Sequence, residues 1–418
     1  MRRFVRALIW RLVLVCLAIE PISHAQTPGH PKGYFTVIPI KGLTNDAIVN
    51  AASQPNQLPL WTFNVTAAAS LGGGPFTGTM VGRSPFAHGK TTTTITLQII
   101  PLIITITDSH GTILYDPTVP DPCLTGNPTD VQVIQNSPLF TNNNYTMNGV
   151  NVGNTQYIDA FQRASFWSLV GGTPYHLLFS PVLLPSFHVT YTNNTTVAAN
   201  DPGLSSPPSC GHLGIIDINA FDANTNSFIQ GVLKTQYTST VNPGTFPMFL
   251  TRNVVFSDGP PLDPNSGCCI LGYHSGYSTG PNLQIYSPFS LNTQGIFTDD
   301  IGTLSHEIAE AIDDPTGNNP TPVWGNVGQV LPPQGAAPTL NNGGCQNNLE
   351  VGDPLSDNGG TTPTHPFTVP GTGFTYHLQE LTFFSWFFGG PSLGAGGKYS
   401  NNGTFSGPAI GCPPGGFQ

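Results

Sequence analysis

Residues 305–315 read Ser305-His306-Glu307-Ile308-Ala309-Glu310-Ala311-Ile312-Asp313-Asp314-Pro315. Together with Ile301 and Leu304, Ile308 and Ile312 recur at spacings of three and four residues, which puts them on one face of an α-helix. Pro315 supplies the stop, because it has no N–H to donate and disfavours helix in the residue before it. A helix over Asp300–Asp313 is therefore predicted, with the Ile/Leu stripe buried. His306 and Glu310 lie one turn apart and project from the same side, whereas Glu307 is turned by about 100°. Around this helix the chain has another character. Thr91–Ile100 and Leu102–Thr107 are β-branched runs bounded by Gly and Pro. Further strands are predicted at Tyr34–Ile40, His176–Leu183, Phe187–Thr192, Leu213–Ala220, Phe246–Phe256 and Leu283–Tyr286. One more helix is predicted at Gln156–Trp167, with Asp159 and Arg163 as an i,i+4 pair. The sum is an α+β fold, β-rich and loop-rich.

Composition agrees. Charged residues make up 8% of the 418 residues, against roughly 25% in typical soluble proteins, while 48 Gly and 41 Pro exceed a fifth of the chain. That excludes coiled coils and long solvated helical bundles. Hydrophobic residues at 38% and aromatics at 10% are enough for a core, which excludes wholesale disorder. Nucleic-acid binding needs Lys and Arg to neutralise phosphates, and here 22 acids outnumber 12 bases.

The first 25 residues read as a secretory signal peptide: Arg2, Arg3 and Arg6, an apolar run to Ile19, then Ser23-His24-Ala25. The run is too short for a membrane span, so none is expected after cleavage, and a secreted, extracellular address follows. Beyond it lie an irregular leader at 26–58, a β-rich N-terminal half at 59–205 and a C-terminal half at 206–418 carrying the motif helix; the two halves can form one compact unit. The Pro/Ser stretch at 202–209 is a candidate linker. Six cysteines follow the signal (Cys123, Cys210, Cys268, Cys269, Cys345 and Cys412), so a disulfide-stapled protein is expected, with separate partners for the adjacent Cys268 and Cys269.

Acid placement points to the chemistry. Apart from Glu20, the glutamates are Glu307, Glu310, Glu350 and Glu380, and nearly half of the acids after the signal fall in residues 299–380. In a chain this poor in charge, acids so concentrated suit a bound cation. His306 and Glu310 offer two corners of a tetrahedral Zn²⁺ site, and Glu307 can reach a water without ligating the ion. This is the geometry of the H-E-x-x-H zinc proteases with the second His replaced by Glu. Candidates for a third ligand are Glu350, Asp353 and His274.

Cys268-Cys269-Ile270-Leu271-Gly272-Tyr273-His274-Ser275, then His306-Glu307-Ile308-Ala309-Glu310-Ala311 closed by Asp314-Pro315, then Trp324, then Glu350-Val351-Gly352-Asp353, resembles the exordium-like (phosphate-induced) secreted proteins. The resemblance covers about residues 265–355 and departs at Cys269-Ile270, where the family has Cys-Gly, and in a Gly/Pro/Asn-rich insertion before Glu350. It implies a metalloprotease-like site with His274 as a ligand or a group that binds a transition-state oxygen. The downstream order is also similar to gluzincin-type zinc proteases, which implies Glu350 as third ligand and Asp353 as the support of a histidine ligand. His377 is a candidate supporting donor, and the other histidines read as surface or satisfied core residues.

The expected function is a secreted zinc-dependent hydrolase, a peptidase using a metal-activated water with Glu307 as base, acting on a peptide or protein substrate. The alternative is a non-catalytic extracellular protein in which the same residues hold a structural ion, Ca²⁺ among the candidates, and whose surface binds a wall polymer or protein partner.

Overall fold

The structure is a computed structural model. It describes residues 34–411 except 41, 42, 44, 88–90, 194–196, 203–209, 229–240, 264–265, 298–299, 326–344, 357–363 and 370–373. The expected signal peptide, most of the Pro/Ser stretch, and Asn194, Asp299, Asp357 and Cys412 lie outside the described residues.

The β-branched run near residue 100 forms one long strand, β4 (Thr92–Asp108), which organises an 11-stranded sheet. Its companions are β1 (Tyr34–Val37), β5 (Gly111–Tyr115), β8 (His176–Leu183), β9 (Phe187–Thr192), β10 (Ala198–Asn200), β11 (Gly214–Asp217), β12 (Thr245–Arg252), β13 (Val254–Asp258), β14 (Gly267–Thr279) and β15 (Asn282–Leu291). The main path runs β10-β11-β13-β14-β15-β12-β4-β5, with β8 and β9 following one another along β4. Pro101 sits at the handover from β8 to β9, where its missing N–H costs that edge no ladder bond. Eight further strands form two-stranded ribbons: β2 (Leu60–Thr66) with β3 (Pro75–Val81), β6 (Asn143–Met147) with β7 (Val150–Thr155), β16 (Pro320–Gly325) with β17 (Cys345–Asn348), and β18 (Thr364–Thr368) with β19 (Thr375–Gln379). The chain is thus β-rich, and its main sheet draws strands from both sides of residue 205. Among the described residues no helix is long and apolar enough to cross a membrane.

Local departures from the sequence reading have local causes. The apolar run Phe246–Phe256 is two strands, because Asn253 turns the backbone at φ 52° between them. The strand expected at Leu213–Ala220 stops at Asp217 and gives way to a helix, Ile218–Phe228. The expected irregular leader contains a helix at Asn45–Ala52. The helix Tyr157–Ser165 forms as predicted, but Asp159 and Arg163 are buried and serve other partners. Asp159 accepts from Thr155 Oγ1 and from the Leu177 amide, and Arg163 donates to the carbonyls of Val152 and Thr173. Cys123 bonds Cys210, as a stapled fold requires, whereas Cys268 and Cys269 bond each other and not separate partners.

The motif helix runs Gly302–Asp313 and is buried over its whole length. A helix that is buried all round must find a partner for every face. Ile301, Leu304, Ile308 and Ile312 sit in the apolar core, and the helix packs on β14 and β15, with β3, β19 and the helix Tyr157–Ser165 also against it. Its C-terminal end is tied down by Asn319, whose Nδ2 donates to the Asp313 carbonyl at 2.6 Å and whose Oδ1 accepts from the Thr79 amide of β3 at 2.8 Å.

Candidate metal centre

Four pieces of chain converge on the polar side of the motif helix. The helix brings His306, Glu307 and Glu310; β14 brings His274; the segment after β17 brings Glu350 and Asp353; β19 brings Gln379. All of them are buried, and His274, His306, Glu307 and Gln379 are at 0% exposure.

The helix pair behaves as its spacing predicts: His306 Nε2 lies 2.9 Å from Glu310 Oε2. Asp353 Oδ1 lies 3.6 Å from the same nitrogen. On the other side, His274 Nδ1 is 3.5 Å from Glu307 Oε2 and 3.8 Å from Glu310 Oε2. Two groups result, His306–Glu310–Asp353 and His274–Glu307–Glu310, each with its ligand atoms within 4.8 Å of one another. Glu350 is nearer the second, with Oε2 3.8 Å from His274 Nε2. Asp353 therefore groups with the helix pair, while the expected third ligand, Glu350, stands on the His274 side.

Neighbours decide which nitrogens are open. Gln379 Nε2 donates to the Gly352 carbonyl at 2.7 Å, so its Oε1 faces His306 Nδ1 at 2.9 Å as an acceptor. His306 donates from Nδ1, and although burial disfavours a second proton, Glu310 and Asp353 favour one on Nε2, which a metal bound there would replace. His274 repeats the logic with its nitrogens exchanged: Nε2 donates to the Asp314 carbonyl at 2.9 Å, and Nδ1 faces Glu307 and Glu310. His274 Nδ1, both Glu307 oxygens and Glu350 Oε2 are buried without a hydrogen-bond partner. Such atoms are costly unless something satisfies them. Four-coordinate Zn²⁺ with ligand bonds of about 2.0–2.2 Å sets neighbouring ligand atoms roughly 3.3–3.6 Å apart, close to the spacings found here. The donor set fits a divalent cation.

The remaining donors hold the carboxylates in place. The Gly352 amide donates to Glu310 Oε1 at 3.0 Å, Asn348 Nδ2 to Glu350 Oε1 at 2.7 Å and Gln346 Nε2 to Asp353 Oδ2 at 2.7 Å. Trp324 Nε1 anchors the Asn348 carbonyl at 2.9 Å. Phe35 of β1 stacks on His306 with ring centroids 3.8 Å apart. Two glycines leave room for the close approach. A Cβ on Gly352 would stand 2.2 Å from His306 Nδ1, and one on Gly272 would stand 2.9 Å from Glu307 Cγ.

Burial sets the electrostatics. It holds the His274 imidazole low, at about 4. It pushes Glu307 and Glu350 well above the usual carboxylate range, helped by the negative charge of Glu310. Asp353 is pushed up to about 7, by burial first and by Glu310 next. Glu310 is the exception. Burial works against its charge, but the His306 imidazole beside it holds it below the ordinary value.

Of the candidates read from sequence, the structure brings His274, His306, Glu307, Glu310, Glu350 and Asp353 together. His377 is elsewhere, with its amide donating to Asp300 Oδ1 at 2.9 Å beyond the start of the motif helix. The residue that supports the ring is Gln379, two residues along β19, and it accepts from His306 instead of donating. Gln379, Gly352, Gly272 and Phe35 carry no local signal, because each acts through a contact distant in sequence. No family model, curated protein or solved structure matches the chain.

Proposed function

We propose that the chain is an exported, metal-dependent hydrolase, a peptidase by the order of its motif, whose centre is built on His306 and Glu310. The observation that carries this reading is the pair of buried imidazoles whose hydrogen bonds to Gln379 and the Asp314 carbonyl turn their other ring nitrogens toward one carboxylate, Glu310. A zinc ion held there supplies Lewis acidity and a water acidified toward neutrality. The protein's own residues do the rest. Glu310 and Asp353 contribute negative charge, and Gln379 and the Asp314 carbonyl hold the rings in orientation. Glu307, pushed by burial toward a high proton affinity, is suited to take and return a proton. The exordium-like resemblance supports the same site, and the Cys123–Cys210 disulfide suits an oxidising, extracellular address.

One observation favours a second reading. The cluster is almost wholly enclosed, with β1 laid over His306, and enclosure suits a structural ion as in the non-catalytic alternative. The test is hydrolysis of a quenched fluorescent peptide library by the purified mature protein. The hydrolase reading expects cleavage that a zinc chelator abolishes, that zinc restores and that Glu307→Gln lacks. A protein that contains zinc or calcium and cleaves nothing is the structural case.

A further inference from the structure

Resting on the reading that this cluster binds metal, we propose that it holds two divalent transition-metal ions bridged by Glu310. One is bound by His306, Glu310 and Asp353, the other by His274, Glu307 and Glu310. The geometry points there first. The two groups of ligand atoms share only Glu310, whose Oε2 lies 2.9 Å from His306 Nε2 and 3.8 Å from His274 Nδ1. A carboxylate between two sets of ligands is the usual bridge in paired sites, where ions stand about 3.5–4 Å apart. Two histidines with shared carboxylates are also the donors of helical di-metal carboxylate centres, which use four carboxylates where three are assigned here, from one helix, one strand and one loop.

Glu307, Glu310, Glu350 and Asp353 crowd one enclosed space with His274 and His306. The second argument is Glu307 itself. A residue serving only as base would look onto a solvent-reached cleft, yet both Glu307 oxygens are enclosed and unpartnered, and Oε2 is turned to the open nitrogen of His274. Glu307 is thereby a ligand of the second ion, and in a two-ion centre it is not the base of the single-ion reading. The imidazole nitrogens restrict the ions to the zinc, manganese and iron class and disfavour calcium.

Stoichiometry tests this on the intact, disulfide-bonded protein. The metal-stripped wild type is loaded with Zn²⁺ alone, dialysed against a weak chelator and analysed for zinc per chain; this measurement needs no variant to fold. Glu307→Gln is loaded in the same way, with its circular dichroism compared with wild type. The proposal expects two zinc ions in the wild type and one in Glu307→Gln. One zinc in the wild type, retained in Glu307→Gln, overturns the two-ion centre and leaves the single-ion reading standing. Two zinc ions in both proteins overturn the assignment of Glu307. No zinc in the wild type overturns the metal reading and the two-ion proposal together.

Discussion

At the scale of single residues, the site depends on atoms that are absent as much as on those present. Gly352 has φ −87°, a conformation open to any residue, so its glycine is required by space and not by backbone. Gly352→Ala would drive a methyl group into the His306 ring, and overpacking in a dense interior costs about 1–3 kcal/mol. Lower thermal stability and weaker zinc binding are expected together, read by melting and by competition with a chromophoric chelator. Gln379→Leu separates the two effects. It keeps the volume but removes the acceptor that fixes the His306 tautomer, so zinc affinity should fall roughly 10–100-fold. An unchanged affinity would mean that Phe35 and Gly352 orient the ring without it. Residues of this kind were illegible in the sequence: His306, Glu307 and Glu310 announce themselves by spacing along one helix, whereas Gln379 is 73 residues from its partner.

At the scale of elements, β1 has the most consequence. Gly272 of β14 pairs with Phe35 of β1 and with Phe289 of β15, so β1 and β15 lie on opposite edges of β14. That puts β1 on the edge next to the site, with Phe35 over His306. Phe35 is 2% exposed, and replacing a buried Phe with Ala typically costs about 3–5 kcal/mol. Phe35→Ala should therefore lower the melting temperature and admit solvent to His306, seen as faster hydrogen–deuterium exchange across β1 and the motif helix. Exchange unchanged from wild type would show that β1 does not seal the site. The sequence placed a strand at Tyr34–Ile40 from its β-branched and aromatic content, but nothing local says which strand it joins. The motif helix was legible from its Ile/Leu stripe. That its polar face is also buried was not, since His and Glu on a helix normally mark a solvated side.

At the scale of the whole molecule, a chain that is 8% charged places Glu307, Glu310, Glu350 and Asp353 around one buried point. Asp353 and Asp314 are both raised to about 7, chiefly by burial, and Glu307 and Glu350 are raised further. A carboxyl group with a higher pKa folded than unfolded stabilises the fold below its unfolded value, near 4, and that stability is lost as pH climbs through the folded value. The metal-stripped protein should thus melt at progressively lower temperature from about pH 4 to pH 7 and beyond. The melting temperature of the zinc-loaded protein should fall less steeply, because the ion replaces the proton of its ligand Asp353 but not that of Asp314. Scanning calorimetry of both forms reads the difference directly, and parallel curves would deny that the cluster trades protons for metal. This concentration of acids was visible in the sequence as a count. Their convergence was not, since Glu350 and Asp353 reach the helix through ties such as Gly352 N–H to Glu310.

The central claim is that His306 and Glu310 hold a metal ion, and anomalous diffraction tests it most directly. Crystals of the zinc-loaded mature protein, measured above and below the zinc edge, should show an anomalous peak about 2.0–2.2 Å from His306 Nε2, Glu310 and Asp353. A clean map at that position, with His306 Nε2 bonded to water or to protein alone, would contradict the account.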